Sequence, residues 1–443
     1  MQAPHRRCAL LTAGLTATLT ASLATSPAGA AGTSALPTLE RVNVSSAEQQ
    51  TQGNASRFLS MSSTGRYVAF ETTADDLVQN DSNGDQDVFV RDRIRGVTTR
   101  ASVSTSGQQG NGVSLEGAIS GDGRYVAFTS TSTNLVAGDT NRYTDVFVRD
   151  LKNRSTRRVS VSTSGRQAQG FSAAPSISAD GRYVAFTSAA ANLTTGDRNG
   201  SEDVFVRDLR KQTTSRVSIP RRGAQFAGPS AHGVISDSGR YVAFIANPND
   251  PDNFDVFLRD RKAKTTRWVS PGLGGKLLNG AIGPISISGN GRYVGYTSDA
   301  SNIVKGDSNG QWDAFVFDAR TAKTRRVSIG TGGTQSNAFS DRVSLSRTGR
   351  YVGFASEASN LVPGDTNGVG DAFVRDLTTG LTRRISTSAG QQGNYSSGPT
   401  YAPQVALSDD GHHAAFVSEA DNLAVNDTND ATDVFAWDDR KPS

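Results

Sequence analysis

Six short segments of the chain carry oxygen-bearing side chains at a spacing suited to a hard cation. They read Asp-x-Asn-x-x-x-Asp: Asp81/Asn83/Asp87, Asp139/Asn141/Asp145, Asp197/Asn199/Asp203, Asp307/Asn309/Asp313, Asp365/Asn367/Asp371 and Asp427/Asn429/Asp433. Asp85 adds a further carboxylate to the first. Side chains of this kind, brought together in a tight loop, match the several oxygens that Ca²⁺ takes alongside backbone carbonyls. One expectation is therefore a ring of calcium sites, favoured in the first, second, sixth and seventh repeats.

The competing expectation is structural. In an EF-hand loop the glycine stands sixth and a glutamate at twelve closes the site. Here glycine, where present, is fourth (Gly84, Gly200, Gly310, Gly368). An acidic residue does stand at twelve, as Asp150 does counting from Asp139, but an extended strand from Asp145 carries it roughly 16 Å away. One shortened copy, Asn249-Asp250-Pro251-Asp252-Asn253-Phe254-Asp255, drops the first Asp and the Asn and keeps the last Asp. An aspartate that persists without its co-ligands suits a turn in which it accepts N–H bonds at a strand start.

Other residues offer less. A Gly-x-Gln turn recurs at Gly107–Gln109, Gly165–Gln167, Gly223–Gln225, Gly333–Gln335 and Gly390–Gln392. No Gly-x-Ser-x-Gly nucleophile elbow occurs. His232 stands alone and His412-His413 replaces an Arg-Tyr pair, positions that suit packed or surface residues. Glu116 and Asp341 are placed to project near a central channel, where two facing carboxylates could do acid–base work.

The elements that must position these residues form a repeat. Gly65-Arg66-Tyr67-Val68-Ala69-Phe70 recurs from Gly123, Gly181, Gly239, Gly291, Gly349 and, altered, Gly411, at spacings of 58, 58, 58, 52, 58 and 62 residues. Each repeat divides into four strand-like runs; in the second they are 113–120, 124–130, 145–150 and 156–162. The Gly of the first hairpin, often after Asp or Asn, supplies a positive φ. Tyr67 and Ala69 face one way and Val68 and Phe70 the other, so both faces of that strand are apolar, as between stacked blades. The charged fourth run suits an outer edge. It first appears before the first complete repeat, at Arg41-Val42-Asn43-Val44, and is missing after Asp433-Val434-Phe435. The sequence thus predicts an all-β, seven-bladed β-propeller of four-stranded antiparallel blades, closed by an N-terminal strand at about 39–46.

The run Ser178-Ala179-Asp180-Gly181-Arg182-Tyr183-Val184-Ala185-Phe186, followed by Asp203-Val204-Phe205-Val206-Arg207-Asp208, resembles the WD-like propeller repeat of TolB-type proteins. The resemblance spans residues 31–443. It implies a propeller fold and, as one role among several, cell-envelope assembly or translocation. TolB-type proteins pair six blades with an N-terminal α/β domain, whereas seven repeats stand here.

Residues 1–30 read as a signal peptide: Arg6-Arg7, an apolar run from Cys8 to about Leu23, then Ala28-Gly29-Ala30. General secretion is favoured over the twin-arginine route. The expected location is therefore periplasmic or outside the cell, with no membrane span after cleavage. Cys8 is the single cysteine, so the mature chain has neither disulfides nor thiolate metal sites. The net charge is +4, about +2 without Arg6 and Arg7, with no basic block, which argues against nucleic acid as a partner. The function expected is a secreted, monomeric, non-catalytic binder of a protein, peptide or glycan at the face bearing the longer loops. The alternative is a carbohydrate lyase or glycosidase working at the channel mouth.

Overall fold

The computed structural model describes residues 38–221, 225–247, 254–397 and 405–440. Residues 1–30, read from the sequence as a signal peptide, and most of the shortened fourth loop lie outside these residues. Within the unit Leu36–Ser443, the strands form seven four-stranded antiparallel sheets. These are the blades, and the inner strand of each packs beside the inner strand of the next, with the first blade closing on the seventh. In the second blade the strands are Ser114–Ile119, Tyr125–Ser130, Asp145–Asp150 and Ser155–Arg158, running from the channel outward.

The hairpin between the first two strands shows why the repeat begins on glycine. Gly123 has φ 71°, a conformation that glycine adopts without steric penalty. It is also a contact point: a Cβ there would lie 2.1 Å from the Tyr67 ring of the preceding blade. The same Tyr-on-Gly packing joins each blade to the next except at the closing seam, where His413 packs on Gly65. Ser120 completes the turn by accepting the Tyr125 N–H (2.9 Å).

The core lies between blades. Ala69 and Val90 of the first blade pack with Val126 and Phe128 of the second, while Val68 and Phe70 pack with Ala415 and Val417 of the seventh. Phenylalanines on the second and third strands stack within each blade, as Phe128 and Phe147 do at 5.8 Å. In the fifth blade Tyr296 takes the first place.

The ring closes as the sequence predicts. Thr38–Arg41 pairs antiparallel with Asp433–Asp438, Arg41 opposite Phe435 and Thr38 opposite Asp438. Regular pairing is confined to these four residues; the Val42 N–H then donates to Val434 O (2.7 Å). The outermost strand of the seventh blade is therefore contributed by the chain's beginning.

Candidate functional site

The six Asp/Asn loops are organised around arginine. Thirteen residues after the last Asp of a loop, the outer strand presents an Arg across the sheet from a buried Phe, as Arg158 lies opposite Phe147. Its guanidinium reaches inward between two carboxylates. Arg100 joins Asp81 and Asp87, Arg158 joins Asp139 and Asp145, and Arg216 joins Asp197 and Asp203. Arg326 joins Asp307 and Asp313, Arg384 joins Asp365 and Asp371, and Arg41 of the closing strand joins Asp427 and Asp433. All twelve N–O distances fall between 2.8 and 3.5 Å.

Further bonds within the protein hold the loop side chains. A Ser of the outer strand donates to the last Asp, as Ser160 does to Asp145 (2.5 Å); Asn43 takes this place on Asp433 (2.6 Å). The loop Asn donates to a carbonyl of the connection that enters the next blade: Asn83 to Gly110, Asn141 to Ala168, Asn199 to Phe226, Asn309 to Ser336, Asn367 to Gly393 and Asn429 to Thr51, at 2.7–3.1 Å. Its Oδ1 accepts the N–H two residues on, which for Asn83 is that of Asp85 (3.1 Å). The Gln of the Gly-x-Gln turn also joins: Gln225 donates to Asp197 (2.8 Å) and Asp203 (3.0 Å). In these six blades the two longer connections are thus tied together on one face of the ring.

Where a divalent cation would sit, a guanidinium already sits, so this donor set does not suit Ca²⁺ as folded. Among the described residues no group of three or more His, Cys, Asp or Glu is gathered for a metal. The signal that sequence reading missed is the arginine. The shortened fourth repeat lacks the first Asp and carries Trp268, opposite Phe257, where the others carry Arg. Its Asp255 keeps the Ser partner of the other repeats, accepting from Ser270 Oγ at 3.0 Å. The first carboxylate and the guanidinium are absent from the same repeat, as a buried guanidinium lacking one of its two counter-charges would be costly. The charged fourth run is the edge strand of its sheet as expected, and its inward arginine also holds the loop.

One guanidinium between two carboxylates leaves a negative charge in a poorly solvated place. Burial therefore pushes Asp203 up to about 6, with Asp197 adding to the shift and Ser218 and Arg216 opposing it. Asp433 moves in the same direction for the same reason. The aspartates at the other end of the third strand behave oppositely. Asp208, Asp318 and Asp376 are held at about 2 by hairpin arginines Arg182, Arg292 and Arg350 together with turn N–H groups, against the opposing effect of burial.

The channel is lined by residues that differ from blade to blade. A β-bulge interrupts the pairing of the inner strand in the first six blades, and at its centre the repeats place Phe58, Glu116, Ala174, His232, Pro284 and Arg342. Glu116, Ala174, His232 and Arg342 all have φ between 52° and 58°, a left-handed conformation that costs a non-glycine residue roughly 1–2 kcal/mol. The bulge turns these side chains into a cavity of about 490 Å³, which also exposes Ile282 and Pro175. Neighbouring side chains bond the bulge N–H groups. Glu71 accepts those of Glu116 and Gly117, Glu116 that of Ala174 (2.6 Å), and Thr187 that of His232 (3.1 Å).

Arg342 lies over the Phe58 ring at 5.4 Å, reaching past the seventh blade. His232 keeps access to the channel, yet burial between the channel walls pushes its imidazole below the ordinary value, with Glu116 opposing and Arg342 assisting. Glu116 lines the cavity. Asp341 instead accepts from Thr297 Oγ1 (2.9 Å) and lies outside the lining, so the cavity is not built around the pair of carboxylates named from sequence.

No family profile and no curated protein sequence matches the chain. Solved structures share its fold. An oligogalacturonate lyase from Vibrio parahaemolyticus superposes with TM-score 0.53 at 11% identity, covering 91% of this chain and 97% of that one. The propeller domain of the Trilobed protease from Pyrococcus furiosus gives TM-score 0.53 at 11% identity over 88% and 96%. That domain has an open velcro topology, whereas here Thr38–Arg41 closes the ring. TolB from Acinetobacter baumannii gives 0.38 at 12% identity over 74% and 62%. At these identities the likeness to the first two is one of fold alone.

Proposed function

We propose that the chain is an exported, non-catalytic binding propeller that takes part of a glycan, peptide or protein ligand into the channel from the long-loop face. One observation carries the reading. Nearly every polar group that repeats around the ring is bonded to another part of the ring, while the bulge position changes from aromatic to carboxylate, imidazole, proline and guanidinium. A group needed by the architecture recurs with the blade; a group that reads a ligand need not. Phe58, Pro284 and Ile282 offer apolar contact beside three ionisable side chains, the mixed lining typical of binding cavities. Among the described residues no helix is long and apolar enough to cross a membrane.

Glycan and peptide arrays probed with the whole chain test this. Saturable binding that Arg342→Ala and His232→Ala each weaken, without consumption of the ligand, is expected. A second reading, a polysaccharide lyase or glycosidase, draws on Glu116 and His232 sharing one cavity. Turnover of any polysaccharide that Glu116→Gln abolishes while binding persists would replace the first reading with the second.

A further inference from the structure

Two positions decide how the outer gap between neighbouring blades is filled. One is the outer-strand residue just before the Arg that holds the Asp/Asn loop (before Trp268 in the fourth blade); the other follows the Asp that ends the third strand of the next blade. Arg157 spans the gap between the second and third blades and donates to Leu209 O (3.5 Å). Arg267 likewise bonds Ala319 O, and Arg383 reaches Asp439 (3.0 Å). Between the third and fourth blades Ser215 is short, but Arg261 enters from the other side, lying over the Tyr183 ring at 4.6 Å and donating to Gly239 O. At the closing seam Glu40 meets Arg93. Every gap but one has an arginine at one of the two positions.

The exception is the gap between the first and second blades, where Thr99 faces Leu151. It is an open groove of about 630 Å³, against about 320 Å³ for the gap that Arg267 enters. Tyr67, Val90, Val97 and Leu151 line it with apolar surface, and Arg95, Lys152 and Arg154 stand around it, beside Asp122 and an Asp92 already paired with Arg66. Lys152 and Arg154 have no acidic partner within 4.0 Å among the described residues, and Arg95 comes only to 3.9 Å of Asp92. Ile94 beside the groove is 75% exposed. The hairpin Asp122-Gly123-Arg124 borders it, so it opens away from the long-loop face and is independent of the channel.

We propose that this groove docks an acidic peptide segment of a partner protein. An apolar side chain of the segment occupies the space that arginine fills elsewhere, and its carboxylates meet Arg95, Lys152 and Arg154. The apolar floor favours a peptide over an acidic polysaccharide, which has no apolar side chain to place there, and the cationic rim selects the sign of the charge.

Fluorescence anisotropy with the full chain tests this, the probe being a fluorescein-labelled peptide with one phenylalanine flanked by glutamates. Saturable, salt-weakened binding is expected. It falls at least about tenfold when serine replaces the phenylalanine or lysines replace the glutamates. Thr99→Arg, which fills the groove as Arg157 and Arg267 fill theirs, produces the same loss without lowering the melting midpoint. If that variant fails to fold, the exposed double change Lys152→Glu/Arg154→Glu gives the same loss. Undiminished binding in the folded variant, equal binding of the serine peptide, equal competition by an acidic polysaccharide, or no saturable binding would overturn the proposal.

Discussion

Arg158 shows how a residue's role follows from its partners. Its side chain is 7% exposed and lies between Asp139 and Asp145. Arg158→Ala leaves two buried carboxylates without a counter-charge and is expected to lower stability by about 3 kcal/mol, read by chemical denaturation. Arg154→Ala, at an exposed position, is expected to change it by less than about 0.5 kcal/mol. Asp203 adds a pH dependence. Its folded value of about 6 lies above the ordinary 3.8, so the folded state holds its proton more tightly, and this contribution is lost as pH rises from about 4 to 6. The stability of Asp203→Asn relative to the unaltered protein should therefore increase across that window; a difference independent of pH would refute the assignment. The aspartates were visible in the sequence at metal-like spacing. Their partner was not, because it stands thirteen residues away and reaches them only through the register of the outer strand.

At the scale of the element, the seam between the seventh and first blades is the exception among blade contacts. His412-His413 stands there for Arg-Tyr; His412 pairs with Asp439 (2.6 Å), and His413, buried on Gly65, lies 3.2 Å from Asp438. Burial pushes His413 below its ordinary value despite Asp438. A histidine held neutral contributes stability above the unfolded value near 6.5 that is lost as pH falls below it, the opposite sense to Asp203. His413→Tyr restores the residue found in the other six blades and should remove part of the loss between pH 7 and 5, read as melting midpoint against pH. An unchanged profile would show that the seam does not sense protons. The strands themselves were legible: the third strand of the second blade runs Asp145–Asp150 as the pattern predicts. The bulge was not, because a period of two describes a regular strand and hides the extra residue that aims Glu116, His232 and Arg342 inward.

For the whole molecule, counting strands was enough to predict both the number of blades and the closing strand. The missing outer run at one end and the surplus run at the other have only one economical solution. Removing residues 38–44 takes away the outer strand of the seventh blade together with Arg41 and Asn43, and strips Asp427 and Asp433 of their guanidinium. This truncation should unfold the seventh blade and make it the first site of limited proteolysis; a protease pattern identical to the intact protein would contradict the clasp. What the sequence left open was the division of labour, since repeated polar residues look equally like ligands and like architecture until their partners are known. The account holds that protein groups, with guanidinium in place of a cation, tie the long loops, leaving recognition to residues that do not repeat. The most direct test is the melting midpoint of the chain at neutral pH with a calcium chelator and with added Ca²⁺. The account predicts the same midpoint in both; a midpoint that falls with chelator and recovers with Ca²⁺ would contradict it.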